Sequence, residues 1–231
     1  MSSHNSLASD APSPSFSDAQ LIIFDWDGTL FDSTAMISHS LCRAASELGL
    51  GEYTQHQAQQ VIGLGFAEAA HALLGHPLAE RDMQALMSLY RKYYFTAELE
   101  VSLYDGVWAL LEALRAQNRY MAVATGKSRI GLNHVFESRP DLKRFFIATR
   151  TADETVSKPH PLMLQEILEE LDVPVSRAVM IGDTRYDIDM AHNIQMRSIA
   201  VTYGAHDYRS LLASEPSAVA HSVDELRLLL V

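Results

Sequence analysis

Very little in this chain can be cross-linked. Cys42 is its single cysteine, so no intramolecular disulfide can form and a reducing compartment fits. It lies beside Leu41 and Ala45 in a helical pattern, where packing is expected and reactivity is not. Positive charge is also short: 18 Lys and Arg stand against 29 Asp and Glu, a formal net charge of −11. No basic cluster appears anywhere, which excludes the stripe a nucleic-acid surface needs, and no nucleic-acid partner is expected. The same imbalance repels phosphorylated molecules at long range, so a site for them must bring its own cations. No stretch approaches the roughly 18 apolar residues of a membrane span. Residues 1–18 lack the basic start and apolar centre of a secretory signal. Rich in Ser, Pro and Asp, they read as a disordered tail. No membrane partner is expected, and the expected location is cytoplasmic. There is no glycine-rich fingerprint after the first strand, which argues against a nicotinamide enzyme. The ten histidines show no ligand spacing such as His-Glu-x-x-His.

What remains is an ordinary globular composition, 48% hydrophobic and 20% charged over 231 residues. That length suits one core domain with a modest insertion. The first apolar run, Leu21 to Phe24, reads as a strand. After Asp32 and Ser33, plausible helix caps, apolar residues recur at Ile37, Leu41, Ala44, Ala45 and Leu48, a helical spacing. Gly49 is a natural stop. Further helices are expected over residues 54–62, 66–74 and 79–99, with no convincing strand before Tyr104. From there the pattern alternates. A helix face at Val107, Leu110, Leu111 and Leu114 precedes a strand at 120–125 and a helix to about 138. A strand at 145–149, a helix at 161–171, a strand ending at Asp183 and a helix to about 193 follow. A strand at 198–203 and a closing helix at 223–230 complete the chain. Alternation of this kind implies an α/β fold, a parallel sheet covered on both faces. The expected layout is therefore a Rossmann-like core (19–33 and 104–231) with an inserted all-helical cap (34–103).

The first strand ends on two carboxylates, Asp25 and Asp27, followed at once by Gly28 and Thr29. Two unit charges about 4 Å apart repel by roughly 4 kcal/mol at an effective dielectric of 20. A bound cation or a shared proton is therefore expected there. Read alone, the segment is equally a solvated turn, since Asp and Gly are good turn formers. Three later segments tip the balance. Residues 120–128 form a second apolar strand ending in Thr125 and Gly126. Ser157-Lys158-Pro159 places a lysine just before a helix start. Residues 178–187 give a third strand ending on Asp183, with Asp187 four residues on. Ligands of open parallel sheets bind beyond the carboxyl ends of the strands, which is where Asp25, Thr125 and Asp183 would stand. Asp183 and Asp187 could equally be a helix cap and a solvated face.

In this order the D-x-D-G-T-L-F-D-S, hydrophobic-T-G, S-K-P and G-D-T-x-x-D elements resemble the haloacid dehalogenase superfamily, in its phosphoglycolate phosphatase-like branch. The resemblance covers roughly residues 20–231. Trp26 departs from the usual small or aliphatic residue between the aspartates and should pack away from the site. The resemblance implies that Asp25 is the nucleophile of an aspartyl-phosphate route. Asp27 would be the acid that protonates the leaving alcohol and then the base that activates water. Thr125, Gly126 and Lys158 would bind the phosphate. The acidic residues suit Mg²⁺: Asp25 and Asp183 would be direct ligands, Asp27 would offer its backbone carbonyl, and Asp187 would support them from behind.

The expected function is thus a Mg²⁺-dependent phosphatase acting on a small phosphorylated metabolite. A phosphomutase of the same branch is the enzyme alternative. A phospho-switch without turnover is the other, although the helical insertion and the Asp-x-Asp-Gly-Thr register speak against it. A dehalogenase does not need the acid at Asp27. Gly63-Leu64-Gly65-Phe66 resembles a cap loop hanging over the site and could equally be a helix-breaking turn. Lys127, Arg129 and Arg185 could touch an anionic substrate or pair with the acidic surface. Asp189 is expected on the surface, His160 in local structure, and the Met and Tyr residues from Met83 to Tyr94 in the cap core. Neither the substrate nor the oligomeric state can be read from the sequence.

Overall fold

A computed structural model of the chain describes residues 15–97 and 101–231. Six parallel strands form one sheet in the order β3-β2-β1-β4-β5-β6. They are β1 (Leu21–Phe24), β2 (Tyr120–Thr125), β3 (Ala148–Thr151), β4 (Ala178–Gly182), β5 (Arg197–Val201) and β6 (Ala218–Ala220). β1 is central and pairs with β2 on one side and β4 on the other. The strand order therefore reverses beside β1, and at such a switch point the flanking loops part and leave a crevice.

Every residue of β1 is buried, as expected of a strand covered on both faces. Alternate side chains go to opposite layers. Ile22 and Phe24 meet Leu110 and Leu114 of α5 (Val107–Ala116), Leu132 of α6 (Arg129–Ser138) and Leu226 of α11 (Val223–Leu230). Leu21 and Ile23 meet Met163 and Ile167 of α8 (Leu162–Leu171) and Met190 of α9 (Arg185–His192). Full burial of such a side chain contributes about 1.5–3 kcal/mol, so β1 is clamped from both sides. Trp26 turns into the first layer. It stacks on Phe31 at 5.0 Å and meets Phe136 edge-on at 5.4 Å.

Between β1 and α5 the described residues make four helices: α1 (Thr34–Glu47), α2 (Gln55–Gln59), α3 (Phe66–Leu74) and α4 (Glu80–Ala97). No strand lies among the described residues of this insertion. Small side chains let the helices approach: Ala44, Ala45 and Ala70 pack with Leu86, and Ala58 and Ala69 with Leu41 and Val61. Thr54 starts α2 through a reciprocal capping box with Gln57, its backbone N–H donating to Oε1 at 2.9 Å. Cys42 is half-buried beside the second of these clusters.

Several expectations need correction. The strand expected over 145–149 is β3, three residues later, and Phe145 and Phe146 instead turn into the core layer. Three short elements lacked a periodic signal: α7 (Pro140–Lys143), α10 (Tyr208–Ala213) and β6. Of the tail expected over 1–18, residues 1–14 lie outside the described ones. Phe16 is buried, and its N–H donates to the Leu229 carbonyl at 3.1 Å. Among the described residues no helix is long and apolar enough to cross a membrane.

Candidate active site

The sheet ends where the carboxylates begin. The Asp25 N–H still donates to the Ile181 carbonyl of β4 at 2.8 Å, extending the ladder by one residue. Gly28 then turns the chain with φ of +86°. A Cβ there would lie 2.1 Å from an oxygen of Asp183, so both the backbone angle and the space require glycine. At the strand end Asp25 faces Asp183 and Asp187, and one carboxylate oxygen of each lies within 4.8 Å of the others.

The three acids are held differently. Asp183 Oδ1 accepts from the Thr29 hydroxyl at 2.8 Å, and its Oδ2 from the Ala205 N–H at 2.7 Å. Asp187 Oδ2 accepts from the Thr184 hydroxyl at 2.7 Å and the Thr184 N–H at 3.1 Å, closing a capping box on α9. Its Oδ1 accepts from Lys158 Nζ at 2.6 Å. Asp187 thus caps α9 and pairs with Lys158 at once, and it is buried and not the solvated face that the sequence also allowed. Asp25 Oδ1 lies 2.8 Å from the same Nζ, but off the direction of a hydrogen bond, so this buried oxygen makes an ion pair and nothing else.

Two carboxylates, Asp25 and Asp187, therefore share one ammonium, with Asp183 close beside them, and all four groups are buried. Burial pushes the Asp25 carboxyl up to about 7; Lys158 opposes the rise and Asp187 adds to it. Burial, with Asp25 and Asp187 beside it, holds Asp183 well above the usual carboxylate range. Burial alone would lower Lys158, yet Asp187 and Asp25 raise it above an ordinary lysine. A buried charge excess of this kind calls for a cation. The donor set fits a hard divalent ion: oxygen ligands, crowded carboxylates and one oxygen lacking a hydrogen bond.

Asp27 stands apart from this cluster. Its Oδ1 accepts from the Ser33 hydroxyl at 2.8 Å, and Lys127 Nζ lies 3.3 Å from the same oxygen. Ser33, expected to cap α1, occupies the cap position but spends its hydroxyl on Asp27 instead. Lys127 also donates to the Tyr94 hydroxyl of α4 at 2.6 Å, so a cap residue reaches the core acid through one lysine. Thr125 is buried, and its hydroxyl accepts from the Lys127 N–H at 3.2 Å.

The cap loop closes over these groups. Gly63 and Leu64 point their carbonyls at Gly126, where a Cβ would meet each oxygen at 2.6 Å. The Gly65 N–H donates to the Ser157 hydroxyl at 2.8 Å. On the other flank the Gln60 carbonyl accepts from the Tyr186 hydroxyl at 3.0 Å and faces His206 Nε2 at 3.3 Å. Beneath the loop lies a cavity of about 330 Å³ that includes Asp25, Asp27, Thr125, Gly126 and Lys127 in its lining.

The structure thus gathers Asp25, Asp183, Asp187 and Lys158 in one cluster and puts Asp27, Thr125 and Gly126 on the adjoining cavity. Other candidates go elsewhere. Arg129 pairs with Glu154 at 2.6 Å, and Arg185 lies over the Tyr186 ring at 5.0 Å. Asp189 is half-buried outside the cluster. His160 is exposed and accepts from the Leu162 N–H at the start of α8. Sequence reasoning missed Thr29, Ser33, Tyr94, Ser157 and the Ala205 amide. Thr29, Ser33 and Ser157 lie inside the quoted motifs, so position alone was their signal.

Comparison with known proteins matches a family model, haloacid dehalogenase-like hydrolase, over residues 22–201. A phosphoglycolate phosphatase of Vibrio parahaemolyticus is 29% identical over 221 residues, covering 90% of this chain and 95% of the relative. One of Agrobacterium fabrum is 32% identical over 205 residues, covering 86% and 87%. A predicted phosphatase from Clostridium acetobutylicum superposes with a TM-score of 0.80 at 26% identity, covering 91% of this chain and 97% of the other.

Proposed function

The chain belongs to the haloacid dehalogenase-like hydrolases, and on that premise we propose that it is a Mg²⁺-dependent phosphatase working through a phosphoaspartyl intermediate on Asp25. The observation that carries the reading is the division of labour between two aspartates two residues apart. Asp25 is buried against Lys158 with an oxygen outside any hydrogen bond. Asp27 is held apart, on the cavity, by Ser33 and Lys127. The names of the relatives, phosphoglycolate phosphatase in two cases, support the same class of reaction.

In the first step a carboxylate oxygen of Asp25 bonds to phosphorus as the bond to the leaving alkoxide breaks. Asp27, protonated, gives that oxygen its proton, and the alcohol departs. In the second step Asp27 takes a proton from water, whose oxygen attacks phosphorus and frees phosphate from Asp25. The Thr125 hydroxyl and Gly126 N–H would bind phosphoryl oxygens, and Lys158 would offset their charge. Asp25, Asp183 and the Asp27 backbone carbonyl are the groups that would hold Mg²⁺, with Asp187 steering Lys158 from behind. Bound there, the ion would supply positive charge to the carboxylates and the phosphoryl oxygens. The bonds from the core to Gln60, Gly65 and Tyr94, and the close approach of the Gly63 and Leu64 carbonyls to Gly126, keep the cap over the reaction and limit water.

The test is phosphate release from a panel of phosphorylated metabolites with Mg²⁺, with Asp25→Asn and Asp27→Asn alongside. Release that disappears in Asp25→Asn and falls at least a hundredfold in Asp27→Asn is expected. No release from any member, or full activity of Asp25→Asn, would overturn the reading.

A further inference from the structure

The cavity next to the paired aspartates is built for something larger and less polar than a two-carbon acid. Its volume of about 330 Å³ falls in the range that buries most of a drug-sized ligand. Three separate stretches supply an apolar wall: Leu41 from α1, Val61 and Phe66 from the loop region, and Met87, Tyr90 and Phe95 from α4. Part of that wall is an ordered aromatic row. The Phe66 and Tyr90 rings are 5.1 Å apart, Tyr90 stacks on Tyr94 at 5.6 Å, and Lys127 Nζ lies 4.3 Å from the Tyr94 centroid. The row runs from the cap interior to the lysine that touches Asp27.

Charge in the lining points the same way. Among the described residues four carboxylates line the cavity, Asp25, Asp27, Glu68 and Asp153, against two cations, Lys127 and Arg91. Lys127 is bonded to Asp27 and Tyr94. Asp25 is paired with Lys158 and Asp27 with Lys127. A second anionic group on the leaving alcohol would therefore meet the remaining charged lining, Glu68 and Asp153 against Arg91, where one carboxylate is in excess. Burying it without a partner is costly. An apolar ring or chain meets no such obstacle and gains by leaving water.

We propose that the substrates are phosphate monoesters whose alcohol carries an uncharged apolar body of about aromatic-ring size, seated on the Phe66, Tyr90 and Tyr94 row. This rests on the phosphatase reading above and narrows it. The phosphate goes to Asp25 and the apolar body lies under the cap, so each added methylene is removed from water in the bound state. The discrimination is therefore against compact, doubly charged substrates such as phosphoglycolate.

The experiment measures kcat/KM of the full-length protein with Mg²⁺ for ethyl, butyl and benzyl phosphate and for phosphoglycolate. The alkyl and benzyl esters have leaving alcohols of similar basicity, so differences among them report binding of the body. The expected result is a rise of about fourfold per methylene, so roughly fifteenfold from ethyl to butyl. Benzyl phosphate should lie at or above butyl, and phosphoglycolate below ethyl. A flat series, or phosphoglycolate in the lead, would overturn the proposal. If that lead also vanished in Arg91→Met, a carboxylate-reading site would stand in its place. Binding of benzylphosphonate and ethylphosphonate, measured by calorimetry, separates the two layers of argument. Absent turnover with tenfold tighter benzyl binding would sink the phosphatase reading while supporting the apolar site. Equal binding would sink the apolar site.

Discussion

Withholding divalent cations should make this protein less stable at neutral than at mildly acid pH, the reverse of common acid sensitivity. The Asp25 carboxyl rises from an ordinary 3.8 to about 7 in the folded state, chiefly through burial. Between those values the folded state holds a proton that the unfolded state has released, so stability falls as pH rises. At about 1.36 kcal/mol per pH unit the ceiling on this loss is about 4 kcal/mol. Roughly 2 kcal/mol of it falls between pH 5 and 7, which for a chain of this size is about 4–8 °C in Tm. Asp183, also raised, contributes with the same sign. Lys158, raised above an ordinary lysine, stays charged throughout this window and contributes no slope. The assay is thermal unfolding in chelator at pH 5, 6, 7 and 8, comparing the parent with Asp25→Asn. The variant has no carboxyl to titrate, so the slope due to Asp25 should vanish whatever its offset. Mg²⁺ at a hundred times its Kd should restore about 2.7 kcal/mol to the parent. At one fixed Mg²⁺ concentration the gain should be larger at pH 8 than at pH 5, because protons compete for the same oxygens. A parent whose Tm has the same pH slope as Asp25→Asn in chelator would refute the reasoning.

Lys158→Met leaves Asp25 and Asp187 without their shared ammonium, and should cost about 3–5 kcal/mol in chemical denaturation. Phosphate release should fall at least a hundredfold. Tyr94→Phe removes the hydroxyl bonded to Lys127 at about 1 kcal/mol or less of stability. A several-fold drop in kcat, with KM nearly unchanged, is expected from looser placement of the Lys127–Asp27 pair. Gly126→Ala puts a methyl 2.6 Å from the Gly63 and Leu64 carbonyls. The cap loop must lift, and steady-state kinetics should show a raised KM; an unchanged KM would mean that the loop does not close in turnover. His206 is held below its ordinary value of 6.5, mainly by burial. Its Nδ1 accepts from the Arg185 N–H, so protonation breaks that bond, and this contribution to stability is lost as pH falls through the folded value. An NMR titration of the His206 ring giving a midpoint at or above 6.5 would contradict it.

The sheet was legible because strands buried on both faces write themselves as unbroken apolar runs. Leu21 to Phe24 and Ala178 to Gly182 are such runs. β3 lies at the edge of the sheet, and Phe145 and Phe146 just before it carry the apolar signal without belonging to a strand, which displaced the expected bounds. β6 has three residues and α10 six, too few for any period to show. At the site, residue types in motif order located Asp25, Asp27, Thr125, Lys158, Asp183 and Asp187. What they touch was not legible. Ser33 looks like a helix cap by position and serves Asp27. Tyr94 looks like cap core by its spacing, and it is buried, yet its hydroxyl meets a lysine 33 residues away along the chain. Such pairings depend on how the cap helices sit over the sheet, and that packing has no local signature. Arg129 and Arg185 show the converse, since sequence adjacency to a motif did not bring their side chains into the cavity.

The cap loop is fastened to the core by its main chain. The Gln60 carbonyl meets Tyr186 and His206, the Gly65 N–H meets Ser157, and the Gly63 and Leu64 carbonyls rest on Gly126. On the core side the partners are largely side chains; on the loop side they are backbone atoms, carbonyls that every amino acid carries and one N–H that all but proline carry. The apolar wall of the cavity, in contrast, is made of cap side chains. Closure and selectivity are thereby encoded in separable parts of the same loop. Residues such as Val61, Leu64 and Phe66 can be exchanged to reshape the cavity without rewriting the fastening. For a laboratory that wants a new substrate, the loop from 60 to 66 is a cassette whose contacts to the core travel with a sequence that keeps its two glycines.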